Sequence, residues 1–236
     1  MQTHIIGHRG AAAYYPENTM ASFEAAIGMG VDMIELDVHM SADGEIIVIH
    51  DETLERTTNG TGFVHQHTLK QLQALDAGQG ERIPALADVL LRAKEAGVRV
   101  NVEIKAGSVP YPMLEEKLAT LTHGCGMQDS VLFSSFNHYA LLAFKSAWPD
   151  APIAPLYVGA MLDPWEYAQK LGAVAVHPMY AVALLPGWVD GCHAHDIAVN
   201  VWTVDEESMM ERLMLVGVDG LVTNRPDVAL EVRAKL

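Results

Sequence analysis

The chain has 236 residues, 50% of them hydrophobic, enough for one sizeable buried core and far from the composition of a disordered chain. Against 30 aspartates and glutamates stand 15 lysines and arginines, and the resulting net charge of -15 argues against nucleic acid or an anionic membrane as partner. Two cysteines, Cys125 and Cys192, make no disulfide framework, no apolar run approaches the ~18 residues of a membrane span, and no signal peptide precedes the first strand pattern, so the expectation is a soluble cytoplasmic protein.

Taken in order, the chain shows strand patterns at 4–8, 33–37, 99–105, 130–134, 152–156, 173–177, 197–202 and 220–223. Helical patterns lie between them, and Gly30, Gly97 and Gly217, with Gly172 as a close variant, mark where a helix stops and a strand begins. Asn18 or Thr19 is expected to cap a helix that turns Met20, Phe23 and Ile27 inward. Leu86, Val89, Leu90 and Ala93 form an apolar stripe. Asp163-Pro164 and Asp205 read as helix starts, the latter with Glu206 and Glu207 in the first turn. Strands alternating with helices imply parallel pairing, and eight strands are the number that closes a TIM (β/α)8 barrel. An open doubly wound sheet is weaker, because no Gly-rich loop follows the first strand. Residues 1–236 are expected to form one domain, with an insertion at about 38–83 over the C-terminal mouth.

The stretch at 33–51, MIELDVHMSADGEIIVIHD, carries the strongest chemical signal. Alternation puts Glu35 and Asp37 on one strand face, about 7 Å apart. Asp43-Gly44 signals a hairpin turn, and folding about that dipeptide pairs Ala42 with Glu45 and Asp37 with His50. The first strand ends in His8-Arg9-Gly10, and the third places Glu103 and Lys105 on one face. Three carboxylates from neighbouring strands suit a hard divalent cation, Mg²⁺ or Ca²⁺. Arg9 and Lys105 beside it suit phosphoryl oxygens, and His8 and His50 can move protons near neutrality. The predicted site is therefore a metal-assisted phosphoryl centre.

These residues resemble the glycerophosphodiester phosphodiesterases. The likeness runs through His8-Arg9-Gly10, Pro16-Glu17-Asn18-Thr19, Glu35-Leu36-Asp37-Val38, Asp43-Gly44, His50-Asp51 and Asn101-Val102-Glu103-Ile104-Lys105. It continues through Ser135-Phe136 and Val201-Trp202-Thr203-Val204 to Val218-Asp219-Gly220. The resemblance implies hydrolysis of a small glycerophosphodiester to glycerol 3-phosphate and an alcohol, with one divalent cation. In that scheme Glu35, Asp37 and Glu103 hold the cation and Arg9 and Lys105 bind the phosphoryl group. His8 and His50 are acid and base in an unassigned order, and the route passes either through a cyclic phosphate or directly by water. Phe136 and Trp202 form an apolar wall for the glycerol carbons.

Other readings weigh against parts of this scheme. Glu103 with Lys105 is also compatible with a plain buried ion pair, Trp202 with ordinary core, and Asn18 with a cap or a contact to Arg9. The remaining histidines are read as structural, with His177 undecided, Asp51 and Glu52 as supporting or surface groups, and Asn224-Arg225-Pro226 as a helix cap without chemistry. The competing functions are a phospholipase of the phosphatidylinositol-specific or sphingomyelinase D type and a non-catalytic barrel that binds glycerol phosphates. Monomer and homodimer are equally compatible with the sequence.

Overall fold

The structure, a computed structural model, describes residues 2–105, 107 and 111–236. Strand and helix alternate from β1 (His4–Gly7) and α1 (Met20–Met29) to β2 (Met33–Met40). After β2 come β3 (Ile46–Val48), a short α2 (Leu69–Leu72) and α3 (Leu86–Ala96). The alternation then continues through β4 (Arg99–Ile104), α4 (Leu114–Cys125), β5 (Val131–Ser135), α5 (His138–Ala147), β6 (Ile153–Tyr157) and α6 (Pro164–Leu171). It ends with β7 (Ala175–Pro178), α7 (Trp188–His193), β8 (Ala198–Val201), α8 (Glu207–Val216), β9 (Gly220–Thr223) and α9 (Pro226–Lys235). All eight expected strands form, displaced by no more than three residues at either end.

Every strand except β3 pairs in parallel with its neighbours, and pairing of β1 with both β9 and β2 closes the barrel. Strand alternation then divides the side chains. Ile34, Leu36 and Val38 of β2 and Val100, Val102 and Ile104 of β4 face outward into the main core, against the helices. The inward set includes Ile6, Met33 and Val222 in one cluster and Leu132, Ala154 and Ala175 in another. The α3 stripe packs as expected: Leu86, Val89, Leu90 and Ala93 are buried, each of the larger ones worth about 1.5–3 kcal/mol. Gly30, Gly97, Gly172 and Gly217 all end helices in the left-handed conformation.

The hairpin register differs from expectation by one residue. Val38 faces Val48 and Met40 faces Ile46, and the Ile49 N–H donates to the Asp37 carbonyl at 3.0 Å. Asp37 therefore stands opposite Ile49, not His50. The cause is the turn: it holds three residues rather than two, with the Gly44 N–H on the Ser41 carbonyl, the Ser41 N–H on the Glu45 carbonyl, and Gly44 at φ 84°. Ile47 of β3 and Ile49, Leu54, Val64, Leu72, Ala77 and Ile83 of the segment leading to α3 form a small core of their own.

Of the expected caps at α1, α8 and α9, one holds and two differ. Of the two candidates for α1, Thr19 is the cap, its hydroxyl accepting from the Ser22 N–H. Glu206 caps α8 in place of Asp205, and α9 starts at Pro226 after Arg225 with no side-chain cap. Asn18, Asp205 and Asn224 turn instead toward the barrel mouth, where their partners matter more than a helix end.

Candidate active site

The loop after β1 is tightly folded. Arg9 takes a left-handed φ of 52° and Gly10 follows at 90°. A Cβ on Gly10 would lie 2.4 Å from Ser22 Oγ, so only glycine fits against α1. Holding Arg9 there costs on the order of 1 kcal/mol. In return the Arg9 N–H donates to Glu35 Oε2 at 2.9 Å while its guanidinium reaches Asp37 Oδ2 at 3.3 Å and Glu17 Oε1 at 2.7 Å.

Parallel register sets Asp37 beside Glu103 and Glu35 beside Asn101 on the inner face. Glu35, Asp37 and Glu103 are buried and offer ligand oxygens that lie within 4.8 Å of one another. Lys105 bridges two of them, its Nζ 2.9 Å from Asp37 Oδ1 and 2.5 Å from Glu103 Oε1. Asn18 Nδ2 donates to Asp37 Oδ2 at 2.8 Å, so its side chain turns into the carboxylate cluster and leaves the helix end to Thr19. Glu103 with Lys105 is thus part of a larger cluster, not an isolated ion pair.

Two cations cannot balance this interior fully. Burial, with Asp37 and Glu103 nearby, pushes the Glu35 carboxyl well above the usual range. Burial and Asp37 likewise push Glu103 up to about 7. For Asp37 the desolvation is outweighed by Lys105 and Arg9, which hold it low. Three oxygen donors with surplus negative charge are the donor set that a hard divalent cation relieves, so the residues fit Mg²⁺ or Ca²⁺.

His8 and His50 line one cavity of about 140 Å³ together with Arg9, Glu35, Asn101, Glu103, Lys105, Phe136 and Trp202. A second, wider basin of about 430 Å³ shares His50, Glu103, Lys105 and Phe136 with it. Phe136 and Trp202 meet edge to face at 5.2 Å, and the Trp202 indole N–H donates to the His177 carbonyl at 2.7 Å. All nine expected site residues therefore converge on one mouth. His177 lies deeper, bonded through Nε2 to Asn200 Nδ2 at 2.9 Å, and burial lowers its pKa to about 3.

The two histidines differ in their backing. His8 Nδ1 lies 2.7 Å from Asn224 Oδ1, and burial and then Arg9 lower its pKa. His50 Nδ1 lies 2.5 Å from Asp51 Oδ1; burial lowers its pKa while Asp37 and Asp51 pull it back up.

A family model described as the glycerophosphoryl diester phosphodiesterase family matches residues 8–228. The chain belongs to that family. It is 41% identical to a glycerophosphodiester phosphodiesterase of Caldanaerobacter subterraneus subsp. tengcongensis, covering 100% of this chain and 99% of that one. A glycerophosphodiester phosphodiesterase of Bacillus altitudinis is 35% identical, with 99% of each chain covered. Among solved structures, an Oleispira antarctica phosphodiesterase in complex with the product sn-glycerol-3-phosphate superposes with TM-score 0.87 at 28% identity, covering 98% of this chain and 96% of that one. The glycerophosphodiester phosphodiesterase of Agrobacterium tumefaciens gives TM-score 0.86 at 29% identity, with 97% and 99% covered.

Sequence reasoning missed a row of alternating charges within this family site. Arg56 donates to both Asp51 oxygens, through Nε to Oδ2 at 2.5 Å and NH2 to Oδ1 at 3.0 Å, and to Glu17 through NH1 at 2.9 Å. Glu17 in turn holds Arg9, so Asp37, Arg9, Glu17, Arg56, Asp51 and His50 form one chain of contacts. Glu17 and Asp51 were visible inside the matched motifs. Arg56 carried no local signal, because its partners lie 5 and 39 residues away in sequence.

Proposed function

We propose that this chain hydrolyses glycerophosphodiesters to glycerol 3-phosphate and an alcohol, with one divalent cation at Glu35, Asp37 and Glu103 and proton transfer by His8 and His50. The observation that carries this reading is the buried carboxylate triad, flanked at the barrel mouth by Arg9, Lys105 and two histidines. The sn-glycerol-3-phosphate held by the Oleispira antarctica relative supports the product. A bound Mg²⁺ or Ca²⁺ supplies Lewis-acid polarisation of a phosphoryl oxygen.

The protein's own groups do the rest. Arg9 and Lys105 stabilise negative charge on the phosphoryl oxygens as it develops, inside a cavity where such contacts are strong. His8, kept neutral by burial and by Arg9, takes the proton of the nucleophile. His50, unlike His8, has a carboxylate, Asp51, directly at Nδ1 that offsets part of the lowering by burial, so of the two it is the one that gives a proton to the leaving alkoxide. The wide basin on the His50 side receives that alcohol. Phe136 and Trp202 pack on the glycerol carbons and exclude water.

Release of glycerol 3-phosphate from glycerophosphocholine tests this. His8→Ala and His50→Ala should each remove turnover without changing the melting temperature, and EDTA should abolish it with recovery on Mg²⁺ or Ca²⁺. Retained turnover in either variant, or indifference to chelator, contradicts the assignment. Preferential cleavage of bilayer phospholipid would point to a phospholipase.

A further inference from the structure

We propose that Asp205 and Asn224 are positioning residues that hold His8 in the tautomer with hydrogen on Nδ1, leaving Nε2 as the nitrogen that takes a proton. Asn224 stands just after β9 and Asp205 in the loop between β8 and α8, so the pair joins the last two strand ends to the end of β1. The Asp205 carboxylate accepts three hydrogen bonds: at Oδ1 from Thr223 Oγ1 (3.0 Å) and the Asn224 N–H (2.8 Å), and at Oδ2 from Asn224 Nδ2 (2.6 Å). A carboxylate only accepts, so the amide must face it with its NH₂. That orientation turns Asn224 Oδ1 toward His8 Nδ1, 2.7 Å away. An amide oxygen also only accepts, so His8 Nδ1 carries the hydrogen and, in the neutral ring, Nε2 is bare.

The choice of an amide has a consequence. A carboxylate in direct contact would fix the same tautomer but favour the imidazolium, as Asp51 does at His50. Placing the amide between Asp205 and His8 keeps the orientation and moves the negative charge one residue away. Arg9 on its own loop, Glu17 from the segment before α1 and Asp37 from β2 act on His8 electrostatically, and Glu35 of β2, Glu103 of β4, Lys105 just after β4 and His50 just after β3 line the same cavity. Since Asp205 and Asn224 face away from their helix ends, neither α8 nor α9 uses them as a cap.

The proposal presupposes the proton-transfer role of His8, and the experiment separates the two. In Asp205→Asn the one remaining oxygen goes to the fixed Asn224 backbone N–H, so an NH₂ takes the place of Oδ2; the Asn224 amide turns its oxygen to that NH₂ and its own NH₂ to His8, and the ring shifts to the form with hydrogen on Nε2. Turnover should fall about 10²-fold in kcat with KM within about twofold. The ¹⁵N resonances of the His8 ring should exchange their protonated and bare signatures. The double variant Asp205→Asn with Asn224→Asp restores a donor–acceptor pair with the carboxylate now against His8. It should recover kcat to within about tenfold of the parent, with the acidic limb of the kcat/KM profile raised by about one pH unit. It also carries the test if the single variant folds poorly. A parental kcat and ring ¹⁵N pattern in Asp205→Asn, or a double variant no better than the single, overturns the proposal and leaves the pair as loop glue. Full turnover in His8→Ala would instead sink the acid–base reading beneath it.

Discussion

A divalent cation should stabilise this protein much more at pH 8 than at pH 5.5, because it must displace a proton from Glu103. Without the cation, burial and Asp37 move the Glu103 ionisation from 4.5 to about 7, equivalent to about 3 kcal/mol. The raised value means that the fold holds this proton more tightly than the unfolded chain does. Its contribution to the cation-free fold is therefore lost as pH climbs from 4.5 through about 7. Cation at about 100 times its dissociation constant at pH 8 adds about 2.7 kcal/mol, or about 5–11 °C in melting temperature for a chain of this size. At pH 5.5 one proton must leave a group titrating near 7, which weakens binding about 30-fold and cuts the gain to about 0.9 kcal/mol, or about 2–4 °C. Glu35, raised in the same direction, steepens the difference. His8, His50 and His177 have lowered values and destabilise the fold on the acid side, but they do so with and without cation and largely cancel in the comparison. Scanning calorimetry with and without Mg²⁺ or Ca²⁺ at the two pH values, on the parent and on Glu103→Gln, measures this directly. An equal cation shift at both pH values, or an undiminished one in Glu103→Gln, refutes the placement of the cation on Glu103.

Three further outcomes are expected. Arg56→Ala removes both bonds that steady Asp51 behind His50, and should lower kcat about tenfold with little change in melting temperature, since Arg56 is 45% exposed; steady-state kinetics beside a thermal melt checks it. Gly220→Ala puts a Cβ 2.3 Å from Asn200 Oδ1 and 2.8 Å from Ile6 Cδ1 inside the barrel, and should cost about 1–3 kcal/mol in urea unfolding. Gly44→Ala forces a φ of 84° on an alanine in the hairpin turn and should cost about 1 kcal/mol or more, read by the same titration.

The agreements and misses between sequence and structure divide along a physical line. Strands and helices were legible because alternation, apolar stripes and the helix-ending glycines are local: 220–223 matches β9 residue for residue, and 99–105 overshoots β4 by one. The hairpin was misjudged because Asp43-Gly44 is compatible with both a two-residue and a three-residue turn, and one residue of slip moves every pairing. β2 runs on to Met40, past the expected end at 37, because β3 supplies a partner for its outer end. Asp205 and Asn224 were read as caps because each precedes a helix, and Asn18 was left between a cap and a site contact; in the fold a nearby carboxylate, amide or imidazole takes each of these side chains instead.

What the sequence by itself determined is the inventory: eight strands, their inward carboxylates, His8 and His50 at strand ends, and the two cations beside them. Alternation within one strand is enough to put Glu35 and Asp37 on a common face, and that needs no partner. Only the tertiary structure decided how those groups are used. Barrel closure brings Asn224 from the far end of the chain against His8, and the fold of the segment after β2 carries Arg56 to Asp51 and Glu17. Contacts across 216 residues leave no trace in a local pattern, because their specificity lies in the register and curvature of the whole sheet.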